Sequence, residues 1–204
     1  MGFRIAAFRC LYAIAAAQQG FFTSKQAKDA GFSGSTHRYH VQAGNWVREH
    51  RGIYRLILIP TAKYPELVLW QLWSSNRKGQ VEGVYSHQTA LAPHEFSDLY
   101  PEKLHLTVPT HFRRSSRTPG VLALHSADLP ESDIVFARGC RVTSPLRTIL
   151  DLAAADTLPR SVLGHTLLQM LERERITRDD LKRASIPVES RQQFEQLLRL
   201  TAAG

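Results

Sequence analysis

"FFTSKQAKDAGFSGSTHRYHVQAGNWVREHRGIYRL", Phe21 to Leu56, decides how the chain is read. Its punctuation comes first. Thr23 or Ser24 can cap a short helix that runs to Ala30. Gly31 then supplies the positive φ of a tight turn. Ser33 can cap a second helix, "GSTHRYHVQAG", which stops at Gly44. Two short helices joined by a glycine-containing turn form a helix-turn-helix. Ala27, four residues before Gly31, is small enough to let the helices cross closely.

The second helix has two faces. His37, His40 and Val41 share an inward stripe at i, i+3, i+4 spacing. Ser35, Arg38, Tyr39 and Gln42 point elsewhere. That outward set combines a cation, an amphipathic ring and two hydrogen-bonding groups, which suits phosphates and base edges. A histidine pair could also ligate a metal, but no further ligand is spaced around His37 and His40.

After Gly44 the period changes from helix to strand. Trp46–His50 and Ile53–Ile57 read as two strands joined by Arg51-Gly52, with glycine at the second loop position of a tight hairpin. A two-residue loop sets Arg48 opposite Arg55. Like charges across a ladder are destabilising, unless the pair straddles a phosphate. Arg51 at the tip extends the same positive edge. A hairpin after a helix-turn-helix is a wing, so the segment reads as a winged helix-turn-helix that binds DNA.

Charge supports this. The chain has 204 residues and a formal charge of +8. Residues 1–60 contain eight Lys and Arg against two Asp and Glu, so +6 of that excess sits there. A local basic excess points to a polyanionic partner. Hydrophobic residues make up 43%, which excludes a disordered chain.

Upstream, a helix from about Phe3 to Gln18 is expected, with Ile5, Phe8, Leu11, Tyr12 and Ala15 inward and Gly20 ending it. Its apolar run is too short to span a membrane and lacks the processing break of a signal peptide. Cys10 and Cys140 are far apart and read as buried, reduced thiols of a cytoplasmic protein.

Downstream of a linker at Thr61–Lys63 the pattern is mixed. "PELVLWQLW" is a helix with Pro65 in its first turn. "KLHLTVP", "GVLALH" and "SDIVFARG" are strands. "SPLRTILDLAA" is a helix capped by Ser144, "PRSVLGHTLLQMLERE" a helix begun by Pro159, and "RDDLKRA" a helix capped by Thr177. A last helix is expected at about Glu189 to Ala202. The fold class is therefore α+β: a winged helix-turn-helix at 1–60, then a mixed α/β domain at 64–204.

No catalytic constellation emerges. Ser86-His87 with Asp98 lacks a nucleophile elbow. His87, His94, His105, His111, His125 and His165 offer no helix-spaced pair and no cysteine companion, so no metal site is expected. Glu102 and Lys103 sit side by side rather than in a nuclease's Glu-x-Lys pattern, and there is no glycine-rich phosphate loop. No cofactor is expected. The basic loop "HFRRSSRTPG", His111 to Gly120, is either a solvated loop or a contact for DNA or an acidic protein.

Taken together, the Phe21–Leu56 segment with "YSHQTALAPHEFSDLYPEKLHLTVP" and "VTSPLRTILDLAA" resembles the AbiEi antitoxins of type IV (AbiE) toxin–antitoxin systems. "RGIYRL" and "SHQTAL" carry the resemblance most specifically. It implies a winged helix-turn-helix that binds the operon's own promoter. It also implies a C-terminal domain that counteracts a nucleotidyltransferase-like toxin. The family's DNA contacts, from recognition helix and wing, fall here on Ser35, Arg38, Tyr39, Gln42, Arg48, Arg51 and Arg55. The chain departs from the family at His37 and His40, where apolar residues are usual. Two other readings stay open: a plain regulator whose C-terminal domain senses a ligand or forms oligomers, and a DNA-acting nuclease.

Overall fold

In the computed structural model, residues 2–60, 64–97, 101–114 and 117–184 are described. The chain divides into two units, Met1–Gly83 and Val84–Gly204. The mixed α and β composition is as the sequence indicates.

Among the described residues four α-helices and three strands make up the first unit. They are α1 (Gly2–Ala17), β1 (Phe21–Thr23), α2 (Ser24–Asp29), α3 (His37–Gln42), β2 (Trp46–His50), β3 (Ile53–Leu56) and α4 (Pro65–Trp73). Thr23 starts α2 with a complete capping box. Its hydroxyl accepts from the Gln26 N–H, and the Gln26 side chain accepts from the Thr23 N–H. Gly31, at φ 104°, makes the turn. A single 3-10 turn, Gly34–Thr36, leads into α3.

The core of this unit joins Leu11 and Ala15 of α1, Phe22 of β1, Ala27 of α2, and Trp46 and Leu56 of the hairpin. In α1 the buried residues are Ala7, Leu11 and Ala15, whereas Ile5, Phe8 and Tyr12 are exposed. This differs from the expected stripe. Apolar residues occur on every side of the helix, so periodicity does not single out a face, and the small alanines take the close-packed one. Cys10 is exposed rather than buried, while Cys140 is buried as expected.

Strand β1 adds a third strand to the hairpin, in antiparallel order β1-β3-β2. The register differs from the simple hairpin expectation. His50 does face Ile53 across the Arg51-Gly52 loop, but Glu49 is an extra residue in β2. Beyond this bulge Arg48 faces Tyr54, and Val47 faces Arg55. Bulges displace every later pair by one position. Arg48 and Arg55 therefore lie on opposite faces and do not straddle a common phosphate. The displaced Arg55 finds a local partner instead: its Nε donates to Glu49 Oε1 at 2.7 Å.

Helix α4 packs on β1 and β3, with Trp70 against His50 (5.3 Å between ring centroids). The segment after it is held by Ser74 Oγ, which accepts from the Gly83 N–H at 2.8 Å. The boundary thus falls after Gly83 rather than at 60–64. The sequence suggested a linker before α4, but the helix is needed to cover the second face of the small sheet.

The second unit is built on a five-stranded sheet, order β6-β5-β4-β8-β7. Its strands are β4 (Val84–Tyr85), β5 (Leu104–Val108), β6 (Leu122–Ser126), β7 (Ile134–Ala137) and β8 (Cys140–Thr143). Among the described residues four helices accompany it: α5 (His87–Leu91), α6 (Pro145–Ala155), α7 (Arg160–Glu172) and α8 (Arg178–Arg183). Ser144 and Thr177 cap α6 and α8 as read from the sequence. Leu91, Ile149, Leu152, Leu163, Leu167 and Met170 form the helical core. The helix expected at Glu189–Ala202 lies outside the described residues, as do the linker Thr61–Lys63 and Asp98. No helix among the described residues is long and apolar enough to cross a membrane.

Candidate nucleic-acid interface

Helix α3 is positioned by rings. Trp46, at the start of β2, is 3% exposed and stacks on His40 with centroids 4.6 Å apart and planes 17° from parallel. Phe22 and Phe32 meet it edge-on at 4.9 and 5.3 Å. His37 lies 5.3 Å from Trp46 and 5.6 Å from Tyr54. His37 and His40 therefore dock the helix. Each presents an aromatic face where an apolar residue would present a methyl group.

With His37, His40 and Val41 turned inward, α3 presents its other side. Ser35, Arg38, Tyr39 and Gln42 are all exposed, Tyr39 at 61%. Ser35 Oγ is 2.9 Å from Ser33 Oγ at the helix entrance.

The wing adds two of its three arginines. Arg48 is exposed and faces Tyr54, which itself packs on His37 of α3. This puts Arg48 on the α3 side of the hairpin. Arg51 is exposed at the tip. The tip is anchored, because the Ser24 N–H donates to the Gly52 carbonyl at 2.8 Å. Gly52 has φ 77°, so only glycine makes this loop without strain. Arg55 lies on the opposite face with its guanidinium on Glu49, apart from the other candidates. A free guanidinium can bind phosphate without first leaving a carboxylate; a paired one cannot.

Sequence spacing missed a second constellation, in the other unit. His87, His105 and His125 converge so that one ring nitrogen from each lies within 4.8 Å of the others. Strands β5 and β6 run parallel, with Thr107 opposite His125. His105, two residues before Thr107, shares that face, and its Nδ1 is 2.9 Å from His125 Nε2. His87 completes the group from the first turn of α5, its ring 3.8 Å from that of His125. It adopts φ 51°, a left-handed conformation costly for a residue with a Cβ. Its Nδ1 is 2.9 Å from Ser86 Oγ, which accepts from the Thr107 hydroxyl at 2.7 Å. Neighbouring Ser86 and His87 side chains thus meet. Yet Ser86 is fully buried and bonded to Thr107, an unsuitable setting for an attacking hydroxyl.

Burial, then the nearby His125, His105 and Arg147, pushes the His87 pKa down to about 3. His105 and His125 are also lowered, each chiefly by burial. The unfolded chain therefore takes up the His87 proton first as pH falls. Its contribution is fully present above about pH 6.5 and is lost progressively toward pH 3. From pH 7 to pH 5 this amounts to about 2 kcal/mol for His87. Urea unfolding of the second unit in EDTA should show this loss. His87→Asn, which tolerates the left-handed backbone and does not titrate, should flatten it. Equal pH dependence in both proteins would assign the acid sensitivity elsewhere.

Residues 11–57 match the family described as "Transcriptional regulator, AbiEi antitoxin". The matched segment runs from α1 through the wing. The crystal structure of the RV2827C protein from Mycobacterium tuberculosis has a similar fold. Its TM-score is 0.59 at 16% identity, over 96% of this chain and 77% of that one. No curated protein matches the sequence.

Proposed function

We propose, from the premise that residues 11–57 are an AbiEi-type regulator module, that the protein represses its own promoter and serves as the antitoxin of a type IV toxin–antitoxin pair. The observation that supports DNA binding is the cationic surface around α3. Arg38, Arg48 and Arg51 are exposed and make no hydrogen bond or ion pair with another described residue. Tyr39 and Gln42 lie on the same side of α3 as Arg38, and Ser35 is exposed in the turn that leads into it. In this reading Arg48 and Arg51 hold phosphates, while the α3 residues read base edges in the major groove.

The protein acts by binding, in the cytoplasm, with no catalytic step of its own. Its second domain counteracts a nucleotidyltransferase-like toxin encoded alongside. Expressing the neighbouring reading frame alone, then together with this chain, tests that role. A harmless neighbour, or growth that is not restored, leaves a plain regulator. Incubation with plasmid and magnesium tests the absence of nuclease activity; nicked or linear product would overturn it.

One substitution tests the wing separately. Arg51→Ala should reduce the slope of log K against log salt by about 0.9, the value for one phosphate contact. Fluorescence anisotropy with a promoter fragment across a salt series reads it. An unchanged slope takes Arg51 out of the interface.

A further inference from the structure

We infer that His87, His105 and His125 form a binding site for a late first-row divalent cation such as zinc. Three observations converge on it. The first is donor chemistry. Imidazole nitrogen suits zinc, nickel, cobalt and copper, and all three side chains of the cluster are imidazoles.

The second is geometry. One nitrogen from each ring already falls within 4.8 Å of the others. A zinc ion at about 2.0–2.1 Å from each nitrogen requires tetrahedral donors about 3.4 Å apart. The His105–His125 pair, at 2.9 Å, opens by about half an ångström. The ring that donates in this pair takes its other neutral tautomer, so ligation needs no net loss of a proton. His87 turns out of its stack on His125 to bring its free nitrogen to the ion. Three histidines leave a fourth position for water, as in open zinc sites.

The third is support behind the ligands. Ligating histidines usually donate their second nitrogen to an oxygen, which fixes tautomer and ring orientation. His87 has this arrangement in place. Its Nδ1 can donate to Ser86 Oγ, which Thr107 steadies in turn, and Nε2 is left with its lone pair. The left-handed backbone at His87 is a local cost that persists only where surrounding structure enforces it. Here it brings the ring over those of β5 and β6. An ion at this point would tie the edge strand β6 to the first turn of α5.

The test uses the full chain, free of any histidine tag, stripped with EDTA and dialysed. Zinc titration followed by elemental analysis should give one ion per chain. Cobalt should give the intense visible bands of a tetrahedral site. His105→Gln and His125→Asn should each abolish both signals while far-UV circular dichroism confirms folding. Ser86→Ala should weaken zinc binding by about 10–100-fold, the usual cost of removing a group behind a ligand. His165→Gln, on the exposed face of α7, should change nothing. Less than stoichiometric zinc, or binding unaltered in the His105 and His125 variants, would overturn the site. Neither result would touch the DNA-binding reading, which rests on the other unit.

Discussion

Trp46→Ala is expected to destabilise the N-terminal unit by about 3–5 kcal/mol, the range for truncating a buried aromatic residue. Trp46 is the meeting point of the helix-turn-helix and the wing. One ring touches Phe22 of β1, Phe32 of the turn, His37 and His40 of α3, and Tyr54 of β3. Removing it leaves a cavity bordered by five aromatic side chains that cannot all collapse into the space. For a unit of this size the loss is on the order of half the total stability. Amide exchange in β3 measures it locally, including the Leu56 N–H that donates to Gly20. Trp46→Phe keeps a ring in place and should cost markedly less. DNA affinity should fall with Trp46→Ala even at temperatures where the unit stays folded, because α3 loses its stacking surface. If exchange in β3 slows or is unchanged, α3 is held by something other than these rings.

The same core shows what the sequence made legible. The caps at Thr23, Ser144 and Thr177 were readable because each depends on a side chain and a backbone N–H a few residues away. Inward and outward faces of α3 were readable because His37, His40 and Val41 recur at i, i+3, i+4 spacing. Short strands were not. β1 has three residues and β4 two, too few for an alternating pattern, and both exist because a distant partner pairs with them. β8 gives no separate signal either, since "CRVT" runs straight into the cap of α6.

Two features of the structure have no signal in the sequence, for specific reasons. The bulge at Glu49 inserts one residue without any glycine or proline to announce it; the Arg55–Glu49 pair that accompanies it is visible only in three dimensions. The histidine cluster joins positions separated by 18 and 20 residues along the chain. Parallel pairing of β5 with β6 and a left-handed residue at the start of α5 bring them together. Neither has a signature at ligand spacing, and so a search for helix-spaced histidines passes over them.

The bulge also sharpens what a DNA-binding surface must do here. Replacing Arg38, Arg48 and Arg51 together with glutamine should leave the fold intact, because all three are exposed and such surface changes cost within about 0.5 kcal/mol. If each neutralises one phosphate, the salt slope should fall by about 2.7, three times the single-contact value. Counterion release then predicts an affinity loss of about 500-fold at 0.1 M salt, shrinking steadily as salt rises. Arg55→Ala is the internal control: it removes the same charge from the same hairpin. Its guanidinium is held by Glu49 on the opposite face, so promoter affinity should stay within about twofold and the slope should not move. Net charge alone would make Arg55 count as much as Arg48. A loss for Arg55→Ala equal to that for Arg48→Ala would mean that bulk charge, not an oriented face, drives binding. If Arg38 instead reads a guanine edge, its share should appear as about 1–3 kcal/mol of lost discrimination at one base pair, and the triple variant's slope should drop by only about 1.8.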